Sequence, residues 1–270
     1  MSSRFTRCGF EENTASNGGQ GGDLFLRGEA AVDSCTFAVS LEDDEVGVAI
    51  WGDAARLWIR DSKFESTSTG IYPCIESYGR DVTIERNRFI DHRGSMATGV
   101  YLGGAFVTPV EQEFVVANNL FFRADTTASP DDFGLWIHGP LVAARVTGNT
   151  FARIDFQCET NGAPTEIHHN IFYRGPVRTL IDAPSEAFCN CVSDSAFWQP
   201  HPQGQITWRD MVFADPQFCA VDSGNVTIST SSPCASEHSP GECGTIGLME
   251  TGCDLTPTVE TSWGAIKARF

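Results

Sequence analysis

The chain has 270 residues, 41% of them hydrophobic, with 35 acidic against 18 basic side chains and a net charge of −17. That balance excludes nucleic acid and anionic membrane surfaces as partners, and it disfavours a polyanionic glycan unless a cation bridges it. Ten cysteines without a Cys-x-x-Cys pair argue against zinc and for an oxidised, exported protein, although neither a signal peptide nor a membrane-spanning run is visible.

From residue 5 to about 200 the chain repeats itself. Phe10, Phe37, Phe64, Phe89, Phe121, Phe151, Phe172 and Phe197 recur at intervals of 21 to 32 residues. Two positions before each stands a small polar residue or Asn: Cys8, Cys35, Ser62, Asn87, Asn119, Asn149, Asn170 and Ser195. Columns of this kind at this period mark a solenoid. Residue 10 is already a repeat Phe, so a cap from an upstream segment of a longer precursor is expected before it.

Within a unit such as 82–89, apolar and polar residues alternate up to a turn, which predicts strands with Ile84 and Phe89 inward and Thr83 and Arg88 outward. Asn suits that turn because it tolerates a left-handed backbone and bonds neighbouring backbone groups. Stacked through successive coils, the Asn side chains are expected to satisfy one another. Upstream of each unit lies a second strand ending in Gly, at 24–28, 48–52, 75–79, 100–104, 135–139 and 158–162. Each coil therefore holds about three short strands.

The Asn column, the Phe column and the Gly-ended strands resemble the right-handed parallel β-helix family, the pectate-lyase-like superfold. That resemblance implies an all-β solenoid of about eight to nine coils. It implies little about activity, because the fold hosts lyases, hydrolases, epimerases, adhesins and phage spikes. The coils are expected over 1–200, a last coil and Cys-rich C-terminal cap over 201–253, and a linker with a terminal tail over 254–270. Cys219, Cys234, Cys243 and Cys253 read as a disulfide-stapled cap with three possible connectivities. The Cys-rich segment also looks like the one that ends many secreted bacterial β-helix proteins, which implies a secreted or surface protein. Cys8 and Cys35 share a column and are either bonded or merely small and buried.

The outward residues of the Gly-ended strands form two columns on one wet face. The first is read as Phe25, Ala49, Glu76, Tyr101, Trp136 and Glu159, the second as Arg27, Trp51, Tyr78, Gly103, His138 and Asn161. Aromatic planes beside carboxylates and amides suit sugar rings, whose CH faces stack while their hydroxyls find polar partners. Phe25, Arg27, Trp51, Tyr78, Trp136 and Asn161 are the candidate substrate-binding residues, with strand propensity as the structural alternative. The resemblance adds that enzymes of the superfold carry their polysaccharide cleft on the corresponding sheet, walled by long loops; here loops 11–22, 38–46, 90–98 and 122–133 lead into it.

Candidate catalytic residues are Tyr101, His138, Glu159 and Glu76. Tyr101 and His138 sit diagonally on adjacent coils as an acid–base couple. Glu76 and Glu159 lie three coils apart, about 14 Å at strand spacing, too far for a glycosidase carboxylate pair. No cofactor is required, although Asp43, Asp44 and Glu45 or Asp131 and Asp132 can hold Ca²⁺ in loops. The pair His168–His169 lacks a third ligand. The reading that follows is a secreted or surface β-helix binding a neutral polysaccharide. A polysaccharide lyase or glycoside hydrolase is the alternative, and a structural or adhesive rod the third.

Overall fold

A computed structural model of the chain describes residues 2–11, 24–39, 49–66, 73–91, 99–103, 111–124, 133–140, 142–202, 204–248 and 251–253. Alternating sequences make strands that are apolar on one side only, and here those sides all turn toward one axis. Ile84 and Phe89 are buried, whereas Arg88 is exposed and Thr83 half-buried. The result is an all-β parallel solenoid of about eight turns.

Each turn has three strands. Fifteen strands form one sheet that wraps two of the three faces, because Leu24–Asp33 and Ile50–Arg60 run from the first face into the second without interruption. Ile50–Arg60 pairs with Ile75–Ser77 through its first residues and with Asp81–Glu85 through its last. The third face is a nine-stranded sheet running from Gly9–Glu11 to Val212–Phe213, and it carries the Phe column.

Phe10, Phe37, Phe64, Phe89, Phe121, Phe151 and Phe172 stack at 4.6–5.1 Å between ring centroids. That distance is the strand spacing itself, so the rings fill the interior at the pitch the backbone dictates. Phe197 does not continue the stack. Its expected place is taken by Val192, paired with Phe172, and the rung after that by Phe213. Phe197 instead closes a short 3₁₀ helix, Ser195–Phe197. The polar column likewise continues through Asn190 rather than Ser195.

Asn87, Asn119, Asn149, Asn170 and Asn190 are fully buried. Each donates from Nδ2 to the Oδ1 of the next, at 3.0–3.1 Å along the four links. The left-handed backbone falls on the residue before each Asn, not on the Asn. Arg7, Ser34, Asp61, Arg86, Asn118, Gly148, His169, Cys189 and Asp210 form that column, with φ between 51° and 65°. Most carry a side chain where glycine is favoured, and the stacked amides beneath them offset the strain. Toward the first coils Ser62, Cys35 and Cys8 take over the column. Cys35 N–H donates to Ser62 Oγ at 3.0 Å, and Cys8 N–H to Cys35 Sγ at 3.4 Å. Cys8 and Cys35 are not joined by a disulfide.

The disulfides join Cys189 to Cys243, Cys191 to Cys234 and Cys219 to Cys253. Only the last lies within the four-cysteine set expected to close on itself. Cys189 and Cys191 belong to the solenoid, so two of the three bonds rivet the C-terminal segment to it. That segment folds back over the outside of the Phe sheet. The reason is visible in the outward residues, which change from Lys63, Glu65 and Arg88 to Leu120, Phe122, Ile171 and Tyr173. Phe218, Val226, Ile228 and Ile246 cover this apolar half in a second hydrophobic cluster. The expected linker and tail, 254–270, lie outside the described residues. Among the described residues no helix is long and apolar enough to cross a membrane.

Candidate functional site

Strand pairing on the first face gives the true columns. The first runs Phe25, Trp51, Glu76, Tyr101, Trp136, Gln157 and Arg178. In the second, Arg27 pairs with Asp53, and Gly103, His138, Glu159 and Leu180 follow one another. The expected columns are therefore displaced by two residues at both ends. Ala49 is buried, Trp51 takes its place beside Phe25, Glu159 moves to the second column, and Asn161 pairs with Pro140 beyond both. Aligning the strands by their terminal glycines caused the slip, since Gly52 lies opposite Leu26 rather than Gly28. A shift of two preserves which side faces out, so the outward assignments survive except at Ala49 and Gly103, which are buried.

The slip brings partners together. Phe25 and Trp51 stack at 4.7 Å with 7° between planes. Further along, the rings turn: Trp51–Tyr78 lie at 51°, Tyr78–Tyr101 at 66° and Tyr101–Trp136 at 81°. Rings that stack parallel spend their faces on each other, whereas crossed neighbours cannot all do so. Trp51, Tyr78, Tyr101 and Trp136 are half-buried, and Phe25 is 43% exposed with the Arg27 guanidinium 4.8 Å from its ring centroid. The Trp136 Nε1 atom is buried without a hydrogen-bond partner among the described residues. The loops expected to wall this face fall largely outside the described residues, as do Asp43, Asp44, Glu45, Asp131 and Asp132.

Tyr78 Oη donates to Glu76 Oε1 at 2.6 Å. Burial first, and then this carboxylate, push the Tyr78 phenol well above its ordinary range. Burial also raises Tyr101, with the charges of Glu76 and Glu159 adding to it. Beneath the face, the fully buried Cys158 thiol is pushed up to about 12 by desolvation.

His138 Nδ1 lies 3.1 Å from Glu159 Oε2, and Gln157 Nε2 donates to Glu159 Oε1 at 2.7 Å. Tyr101 stays diagonal to His138, with Trp136 between their rings at 5.2 and 6.1 Å. Glu76 remains three coils from Glu159, as the sequence indicates. At the C-terminal ends of these strands a cavity of about 500 Å³ is lined by His138, Gly139, Pro140, Glu159, Thr160, Asn161, Leu180 and Asp182. It gathers three expected site residues, His138, Glu159 and Asn161, while Glu76, Phe25, Arg27, Trp51, Tyr78, Tyr101 and Trp136 form the strip leading to it.

Asp182, Thr160 and Leu180 escaped sequence reasoning. A signal existed in the 20-residue echo between Ala163-Pro164-Thr165-Glu166 and Ala183-Pro184-Ser185-Glu186. It places Asp182 in register with Gly162, whose N–H donates to Asp182 Oδ1 at 3.0 Å. Among the described residues no group of three His, Cys, Asp or Glu is placed to hold a metal ion. His168 and His169 are in contact with each other, but they lie on the second face, where His168 Nδ1 meets Thr147 Oγ1 at 2.9 Å and its ring stacks on Phe188.

No family model matches the chain, and neither curated proteins nor solved structures give a match. The parallel β-helix is shown by the structure, and no match supports a pectate-lyase-like assignment.

Proposed function

We propose that this protein binds carbohydrate along its first face, the chain of sugars lying on the aromatic strip and ending in the cavity beside Glu159. The observation that carries this reading is the run of Phe25, Trp51, Tyr78, Tyr101 and Trp136, one per successive coil, leading to a cavity of about 500 Å³. Four strand spacings make that run ~19 Å long, an extended track suited to an oligomer more than to a small metabolite. Aromatic side chains held half-dry on an outer face favour a ligand with apolar CH faces, and Glu76, Gln157 and Asn161 supply hydrogen-bonding groups beside them. Three disulfides favour export to an oxidising compartment.

A glycan-array screen with and without Ca²⁺, followed by calorimetry, tests the reading. Trp51→Ala and Trp136→Ala should each weaken binding by about tenfold or more, the equivalent of ~1.4 kcal/mol per factor of ten. Unchanged affinity in both variants would remove the aromatic strip from the interaction.

One observation favours a catalytic version of this reading. Glu159 is oriented by Gln157 and His138 inside the cavity, as a proton-transferring carboxylate must be. On that version glycan incubated with the protein gains new reducing ends or unsaturated sugars, and Glu159→Gln stops their appearance without abolishing binding.

A further inference from the structure

The carboxylates of the cavity differ in their partners from several others on the coils. Several acids elsewhere on the coils pair with arginine on the neighbouring coil: Asp61 with Arg86, Asp81 with Arg56, Glu166 with Arg145 and the buried Asp155 with Arg178, at 2.8–3.2 Å. In the cavity, Glu159 takes Gln157 and His138, and Asp182 takes a backbone amide. Among the described residues no lysine or arginine lines the cavity. Among the described residues, two acids thus line the cavity with His138, beside Glu159, as the one basic side chain there. Pro140 and Leu180 add apolar surface on the same walls, while Thr160 and Asn161 add groups able to bond hydroxyls.

We propose that this cavity takes a sugar bearing a protonated amine, with its ring against Pro140 and Leu180 and its ammonium held by Glu159 and Asp182. The ligand class is an unacetylated amino sugar, as a terminal or internal unit of a cationic glycan. This rests on the carbohydrate reading above and narrows it to amine-bearing sugars. An ammonium supplies a counter-charge and up to three N–H donors, whereas an N-acetyl group at the same position carries no charge and a single N–H. Asp182 has one oxygen committed to the Gly162 amide, which fixes the direction in which the carboxylate presents the other.

The experiment is calorimetry of the full chain with three oligosaccharides of equal length and linkage: glucosamine, N-acetylglucosamine and glucose oligomers. The glucosamine oligomer should bind ~10-fold or more tightly than the other two, in keeping with the worth of a charge-assisted hydrogen bond. Raising the salt concentration should erode that advantage. Asp182→Asn keeps an acceptor for the Gly162 amide and Glu159→Gln keeps the side-chain shape, and each should bring the glucosamine oligomer down to the affinity of the glucose oligomer measured on the same variant. Glu113→Gln removes an exposed acid on the second face and should change nothing. A loss of the same size in Glu113→Gln would assign the preference to overall charge and overturn the proposal. Equal affinity for the three oligomers overturns it too, but leaves the carbohydrate reading standing. Binding of none of them overturns both.

Discussion

Tyr78 Oη donates a 2.6 Å hydrogen bond to Glu76 Oε1, so a phenol of the second column is clamped to a carboxylate of the first. Burial and this acceptor raise the Tyr78 phenol; burial also raises Tyr101 and Tyr173. An unfolded tyrosine ionises near pH 10. A group whose pKa is raised by folding adds stability that is complete below the unfolded value and drains away as pH climbs toward the folded one. Phenolate absorbance should therefore rise late, and the alkaline loss of stability should begin around pH 10. Tyr78→Phe should remove one late-titrating phenol and soften that loss. Reversible ionisation of all four tyrosines near pH 10 in the folded protein would refute it.

Asn119 connects three coils. Its Nδ2 donates to Ile84 O at 2.8 Å and to Asn149 Oδ1 at 3.0 Å, and its Oδ1 accepts from the backbone and side chain of Asn87 at 2.9 and 3.1 Å. Asn119→Ala strands a buried donor and a buried carbonyl at once, which costs ~2–4 kcal/mol in denaturant unfolding. Asn87→Ser should be milder. Ser62 already performs the task one coil earlier, accepting from Cys35 N–H at 3.0 Å and donating to Arg60 O at 2.8 Å.

The bonds Cys189–Cys243 and Cys191–Cys234 hold the C-terminal segment across Leu120, Phe122, Ile171 and Tyr173. Replacing Cys234 and Cys243 with serine should cost ~2–5 kcal/mol. Local opening of the segment would then expose this apolar strip and bind a hydrophobic dye before the coils unfold. If the double variant took up no dye and unfolded in one step at the wild-type midpoint, the segment would be held by packing alone.

The solenoid was legible because its physics is repetitive: Phe89, Phe121 and Phe151 occupy one place per turn, and each contacts only its neighbours. Legibility failed where a rung changes residue type without changing role, as at Val192, where Phe197 carried the more familiar side chain. It failed again in register on the first face. Gly28 sits at a corner whereas Gly52 lies two residues before its own, and a shift of two residues turns no side chain over. Hence the aromatic strip could be read but not the contact of His138 with Glu159. Asp182 was invisible for a different reason, since its strand Val177–Ile181 ends without the glycine that flagged the others.

Gly103 occupies a second-column position where a side chain would be expected. A Cβ built there would lie 2.6 Å from Tyr78 Cε1, 2.8 Å from Tyr78 Cδ1 and 3.0 Å from Tyr101 Cε1. The residue is small because the Tyr78 ring from the adjacent coil fills its space, and that placement turns Tyr78 and Tyr101 to 66°. Gly103→Ala must push both rings aside, at ~1–3 kcal/mol for an overpacked site. The near-ultraviolet circular dichroism of the aromatic strip should change and glycan affinity should fall, although residue 103 offers no polar group to a ligand. Gly9→Ala meets nothing within 4 Å and serves as the control. A Gly103→Ala protein with wild-type aromatic signal and affinity would mean that the ring order on this face plays no part in recognition.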